Sequence, residues 1–341
     1  MLDDAPPDAP RRRAARPGTW PALPFEECRP TLETLHLWTQ IVGKVRLERT
    51  PWINHSWHVP LYVTPRGLGT SSIPAQGRMF DMEMDFHRGR LSVTVSDGTS
   101  AAVELRERTV SDFYAEVMDR LAGLGLATDI NTTPSEIEGG IPFERDRTHG
   151  AYDPEVARRF WQALIANVTV FQAFRARFRG KASPVHFYWG SFDLATSRFS
   201  GAPAPEHPGG IPALPDWIAR EAYDREVSSL GFWPGDARTG GAIFYSYAYP
   251  APEGFAAADI GGEARFDERL GEFVLPYVAV RDAGDPEGLL MEFAQRTYEA
   301  AADLGHWDRD ALEWPGGAAG PPELRRPGRP PTSASLPGTR R

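Results

Sequence analysis

Between Arg175 and Gly201 the chain sets Arg175, Arg177, Arg179 and Lys181 ahead of His186, Trp189 and Asp193, with Arg198 following. An imidazole near a carboxylate is suited to general acid/base work close to neutral pH. Guanidinium and ammonium groups gather carboxylate or phosphate oxygens. Core packing does not require this mixture, because an unpaired amide or hydroxyl costs roughly 2–7 kcal/mol to bury. The segment therefore marks a location for a site.

Other stretches add to it. His58 follows Trp57, and Glu272 precedes Phe273-Val274-Leu275-Pro276-Tyr277. His58, His186, Asp193 and Glu272 form the candidate acid/base set. Lys44, Arg46, Lys181 and Arg198 are candidate anion holders, and Tyr62, Trp189, Trp233 and Tyr247 candidate aromatic contacts for an organic ligand. His55 and His58 lie three apart and would share a metal only with a third ligand, His186, Asp193 or Glu272. That pattern assigns no metal, and no cofactor motif is present: Gly43-Lys44 and Gly180-Lys181 lack the glycine-rich strand-to-helix setting of a phosphate loop. The same residues also fit ordinary roles, such as a histidine bonded to a carbonyl or cations closing a helix.

The elements that must position these groups follow from periodicity. Leu32, Leu35, Trp38, Val42 and Val45 recur at helical spacing after Thr31, a predicted N-cap. From Trp57 the period becomes two, predicting a strand over 57–63, then strands around Phe80–Phe86, Leu91–Val95 and Val103–Leu105. Phe113, Val117, Leu121 and Leu124 predict a helix. Asp153-Pro154 and Asp285-Pro286 each predict a helix start, an N-cap followed by proline at the first helical position. Strands are expected at 185–194, where Gly190 can insert a bulge, and at 243–249 and 273–277. Ser228 to Gly235 reads as an aromatic loop, and Tyr245, Tyr247 and Tyr249 share one strand face.

The expected class is α+β, antiparallel sheets with packed helices. Both halves run helix, strands, helix, so lobes over 20–150 and 151–314 can be pseudo-repeats that relate His58 to His186 across a cleft. Residues 1–19 and 315–341, rich in Pro, Ala, Gly and Arg, are expected to be disordered tails.

Composition narrows the function classes. The 341 residues are 41% hydrophobic, ample for a large core. The formal charge is −9, and with both tails excluded the body carries −14. So acidic a body argues against a nucleic-acid footprint. No apolar run reaches the roughly 18 residues of a membrane span, and no secretory signal opens the chain, which predicts a cytoplasmic protein without a membrane partner. The single cysteine, Cys28, excludes an internal disulfide framework. The oligomeric state is not legible.

Several phrases occur together: Leu35 through Leu47 (LHLWTQIVGKVRL), Trp57-His58-Val59-Pro60-Leu61-Tyr62-Val63, Ser183-Pro184-Val185-His186-Phe187 through Asp193, Gly231-Phe232-Trp233-Pro234-Gly235, and Tyr247-Ala248-Tyr249-Pro250. As a set they resemble a mainly bacterial family, domain of unknown function 5996, over nearly all of 20–314. The resemblance implies no activity, cofactor or catalytic residue. The residues themselves predict an enzyme acting on a small anionic organic molecule by His/carboxylate chemistry in an inter-lobe cleft. A non-catalytic module with an aromatic surface and a metal-dependent enzyme are the alternatives.

Overall fold

The computed structural model describes residues 20–317 and 320. Most of the two tails, and so the expectation of disorder there, lies outside the described residues. Among those residues seven α-helices and two antiparallel sheets make an α+β fold. No helix is long and apolar enough to cross a membrane.

The opening helix α1 (Phe25–Arg49) begins before the predicted cap. Thr31 is inside it, and its hydroxyl accepts the Asp153 N–H at 3.0 Å, tying α1 to the start of another helix. Glu26 and Glu27 at its N-terminus and Arg46 and Arg49 in its last turn complement the helix dipole. From Leu35 to Arg46 almost every residue is buried, so packing on several sides replaces a single apolar stripe.

The first sheet contains β1 (Tyr62–Val63), β2 (Gly67–Gly69), β3 (Ile73–Ala75), β4 (Arg78–Asp85), β5 (Arg90–Val95) and β6 (Ser100–Glu104), in the order β1-β2-β4-β5-β6 with β3 also on β4. Met82 pairs with Val93 and Met84 with Leu91, and these side chains are buried, while Asp81 and Thr94 are exposed on the other face. The period-two pattern thus separates core from solvent. Helix α2 (Val110–Gly123) follows, its N-terminus capped by the Thr109 hydroxyl. The strand expected from Trp57 is not formed. Residues 57–60 are a turn after left-handed His55 and Ser56, and extended pairing waits until Leu61, past Pro60, which has no N–H to donate.

Helix α3 (Pro154–Arg175) starts where Asp153-Pro154 predicts, the Asp153 carboxylate accepting the Glu155 N–H at 2.7 Å. The second sheet then runs β7 (His186–Tyr188), β8 (Asp193–Pro203), β9 (Arg225–Trp233), β10 (Ile243–Tyr249), β11 (Arg265–Asp267) and β12 (Glu272–Pro276), ordered β11-β12-β10-β9-β8-β7. Helix α4 (Asp216–Ala222) interrupts it between β8 and β9. After α5 (Tyr277–Asp282), α6 (Pro286–Leu304) is capped by Asp285, and α7 (Arg309–Leu312) ends the fold.

Two sequence expectations change here. The single strand over 185–194 is a hairpin, β7 turning through 189–192 into β8, with Phe192 in the left-handed region. The aromatic loop at Ser228–Gly235 is largely β9, bonded on both edges to β8 and β10. Serine and glycine are weak strand formers, and pairing on two sides outweighs that preference.

The sheets meet edge to edge. Leu61 N–H donates to Phe187 C=O and Phe187 N–H to Leu61 C=O, each at 2.9 Å. One continuous core spans both halves, including Trp38 and Met82 from the first and Phe160, Phe187, Phe232 and Phe244 from the second. The proposed repeat does not relate the two histidines: His58 sits in the turn before β1, whereas His186 begins β7.

Gly43 of α1 faces the Trp189 indole, and a Cβ there would come within 2.3 Å of the ring. Helix propensity alone predicts that Gly43→Ala stabilises the protein by about 1 kcal/mol. Overpacking of this kind typically costs about 1–3 kcal/mol. Urea denaturation is expected to show a net loss of stability, and a gain would refute the contact.

Candidate functional site

A cavity of about 720 Å³ lies over the second sheet, on the face opposite the core, and residues from both halves of the chain line it. Alternation builds its floor. Asp193, Ala195 and Ser197 come from β8, Ser229 and Trp233 from β9, Tyr245 and Tyr247 from β10, and Glu272 from β12. The intervening Leu194, Leu230, Phe232 and Phe244 are buried on the core side. Gly231 pairs with Tyr245, and a Cβ on it would strike the tyrosine ring at 2.1 Å. The glycine lets that ring cross β9 and donate its O–H to the Asp193 carboxylate, which Ser191 also reaches.

The roof is the segment 211–223, where Ile211, Leu214, Pro215 and Ile218 face the cavity. His55 fastens it. Its backbone N–H donates to both oxygens of Glu221 at 2.9 Å, and its Nδ1 lies 2.8 Å from the Ala222 carbonyl. Lys181 Nζ lies 2.7 Å from Nε2. An ammonium donating to Nε2 leaves the proton on Nδ1, which then donates to Ala222. The Tyr223 and Tyr247 hydroxyls meet at 2.7 Å, a further tie between roof and floor.

The first half supplies the remaining wall. Trp189 lines the cavity, and its Nε1–H donates to the Val59 carbonyl at 2.8 Å, holding the turn at 57–60 in place. Lys44 reaches from α1 to donate to Thr133 C=O at 2.8 Å and Ser135 Oγ at 3.0 Å. Glu136, with φ +61°, presses its carboxyl against Gly190, where a Cβ would lie 2.0 Å from Oε1.

Electrostatics set this chamber apart. Burial, reinforced by the Asp193 charge, raises the Glu136 carboxyl to about 7. Burial and the charges of Asp193 and Asp267 raise Glu272 to about 8. Asp193 is also raised by burial, against the pull of its Ser191 and Tyr245 hydrogen bonds. Desolvation lowers Lys44 to about 8. The cavity thus holds carboxyls that exchange protons near neutrality, the property required of a general acid or base.

Asp193, Glu272, Lys44, Trp189, Trp233 and Tyr247 all line the cavity. The others lie elsewhere. His58 Nδ1 is 3.2 Å from the Ile53 N–H and 3.3 Å from its carbonyl, and the ring packs on Trp52. His186 is fully buried outside the cavity lining, its Nδ1 3.1 Å from Tyr188 Oη and its Nε2 3.5 Å from Tyr62 Oη; burial, with the charges of Arg46 and Arg175, lowers it to about 3. Neither His58 nor His186 lines the cavity, so the structure does not bring them together with Asp193 and Glu272 there. Asp193 and His186 do share a face, through the hairpin rather than a bulge.

The anion-holding set is also dispersed. Arg198 alternates to the core face of β8, donates to Phe174 C=O and lies 3.4 Å from the Phe174 ring centre. Arg46 donates to Pro60 C=O. Lys181 sits behind Trp57 and Phe199, bonded to His55. Tyr62 lies over Arg46, away from the cavity. Both ring nitrogens of His55 are engaged, and among the described residues no group of three or more His, Cys, Asp or Glu is placed to hold a metal. Sequence reasoning missed Glu136 and the Asp193–Tyr245 pair; only the tyrosine face of β10 signalled the latter.

The chain belongs to a family of unknown function, DUF5996, whose model matches residues 20–314. No curated protein and no solved structure matches it.

The shifted groups predict a pH profile for stability. His36 and His186 fall from 6.5 to about 4 and about 3, so their contribution is complete above pH 6.5 and lost as pH falls. Glu136 and Glu272 rise from 4.5 to about 7 and about 8, so theirs is present in acid and lost as pH climbs through those values. Between pH 6.5 and 8 the Tm is expected to fall. Glu272→Gln is expected to flatten that fall, and an unchanged slope would show that Glu272 is an ordinary carboxylate.

Proposed function

We propose that this protein is an enzyme that moves a proton on a small organic molecule held in the cavity, with Glu272 and Glu136 as the acid/base groups. One observation carries this reading: two half-buried carboxyls with raised pKa face a chamber large enough for a metabolite. Their protonation is poised near neutrality, where a group can both give and accept a proton. Asp193 acts through position. Its charge raises both neighbours, and Tyr245 and Ser191 hold its carboxylate in place. The aromatic walls around Trp189, Trp233 and Tyr247 supply apolar contact area, and the 211–223 roof limits water.

The substrate departs from the anionic molecule expected from sequence. Arg46, Lys181 and Arg198 are committed elsewhere, and Lys44 faces Glu48, Glu136, Asp193 and Glu272 among the cavity residues. An anion would meet more negative than positive groups.

The test is a thermal-shift search with a metabolite library, followed by NMR detection of turnover for each compound that binds. Glu272→Gln, of nearly the same shape, is expected to keep binding and to lose turnover by about 10²–10⁴-fold, the usual contribution of a general acid or base. Turnover undiminished in this variant would remove Glu272 from the reaction. Binding with no turnover by the wild-type protein would support the non-catalytic module instead.

A further inference from the structure

The cavity joins two features that together select a ligand by charge. Its carboxyls are not neutralised from within. Among the described contacts neither Glu136 nor Glu272 has a side-chain hydrogen-bond partner, each is half-buried in the cavity lining, and Asp193 is bonded by hydroxyls rather than by a cation. Elsewhere in the protein, carboxylates such as Glu83 and Glu116 are paired with arginines. The second feature is the ring walls, and the protein already uses two of these rings for ammonium groups. Lys181 Nζ lies 5.2 Å from the Trp57 ring centre and Lys44 Nζ 5.9 Å from that of Trp189.

We infer that the cavity recognises a small organic cation, a protonated amine whose ammonium is met by Glu136, Asp193 and Glu272 and whose carbon body lies against the aromatic walls. The inference deepens the acid/base reading above and rests on the same cavity. It accounts for half-buried carboxyls that no cation of the fold pairs, since the ligand's charge would favour their ionised form. Lys44 does not oppose it strongly: its ammonium is tethered to Thr133 and Ser135, and among the described contacts it forms no ion pair with the cavity carboxyls. A neutral polyol would satisfy the carboxyl oxygens but not their charge, and an anion would add to the repulsion.

Three probes of one shape separate these classes: benzylamine, benzyl alcohol and benzoate, titrated calorimetrically into the full chain at pH 7. Benzylamine is expected to bind at least tenfold more tightly than benzyl alcohol, with benzoate weakest. Repeating the benzylamine titration in buffers of different ionisation enthalpy is expected to show release of about one proton per ligand, because the ammonium drives Glu136 and Glu272 to ionise. The Glu136→Gln, Glu272→Gln double variant, with its fold checked by circular dichroism, is expected to lose both the preference and the release. Benzoate or benzyl alcohol binding as tightly as benzylamine, benzylamine binding without proton release, or no benzylamine binding at all would overturn the inference. The acid/base reading fails on a different readout: a preference for benzoate alongside turnover abolished in Glu272→Gln would leave that reading standing and remove only the cation.

Discussion

The paired backbone hydrogen bonds between Leu61 and Phe187, both at 2.9 Å, hold the arrangement together. They close the free edge of β1 onto the free edge of β7 and turn two six-stranded sheets into one neighbouring surface. Unpaired edges would leave buried N–H and C=O groups, at roughly 1–3 kcal/mol each. The pairing also fixes the turn before Leu61, so that Val59 can accept from the Trp189 indole and Trp57 and His55 can lean over β8. One wall of the cavity therefore follows from a contact between strands far apart in sequence.

Two classes of buried charge follow from this frame. Arg46 and Arg198 are held by main-chain carbonyls and aromatic rings, Pro60 and Tyr62 for one, Phe174 and Tyr298 for the other. Burial lowers both, and their surroundings provide them with partners within the fold. Among the described contacts the cavity carboxyls of Glu136 and Glu272 have no such partners, and Asp193 has hydroxyls but no cation. Desolvation without a counter-ion makes them proton-exchanging groups, and the difference marks the chamber as the place where chemistry is expected.

Much of the architecture is legible in the residues. The Asp153-Pro154 and Asp285-Pro286 caps locate α3 and α6, the alternation from Phe80 to Val95 locates β4 and β5, and the Tyr245-Tyr247 face points to the cavity floor. Asp193 and Glu272 stand out as carboxylates within strands. The place of His58 is not legible because a period-two pattern from Trp57 reads as strand whether or not a partner strand is there, and His55 and Ser56 adopt left-handed backbone that the pattern does not signal. Arg198 is separated from the cavity by one residue of alternation, which register settles and composition does not. Glu136 was hidden because it comes from a connecting segment, and only folding sets it against Gly190.

Glu136 and Glu272 ionise near neutrality within one chamber. Carbon-13 NMR of protein labelled at glutamate side-chain carboxyls, titrated from pH 4 to 9, reads this directly. Two resonances are expected to titrate at about 7 and about 8, with the upper one absent in Glu272→Gln. A spectrum in which every glutamate titrates near 4.5, the ordinary value, would show that neither carboxyl is shifted and that the chamber holds no acid/base pair.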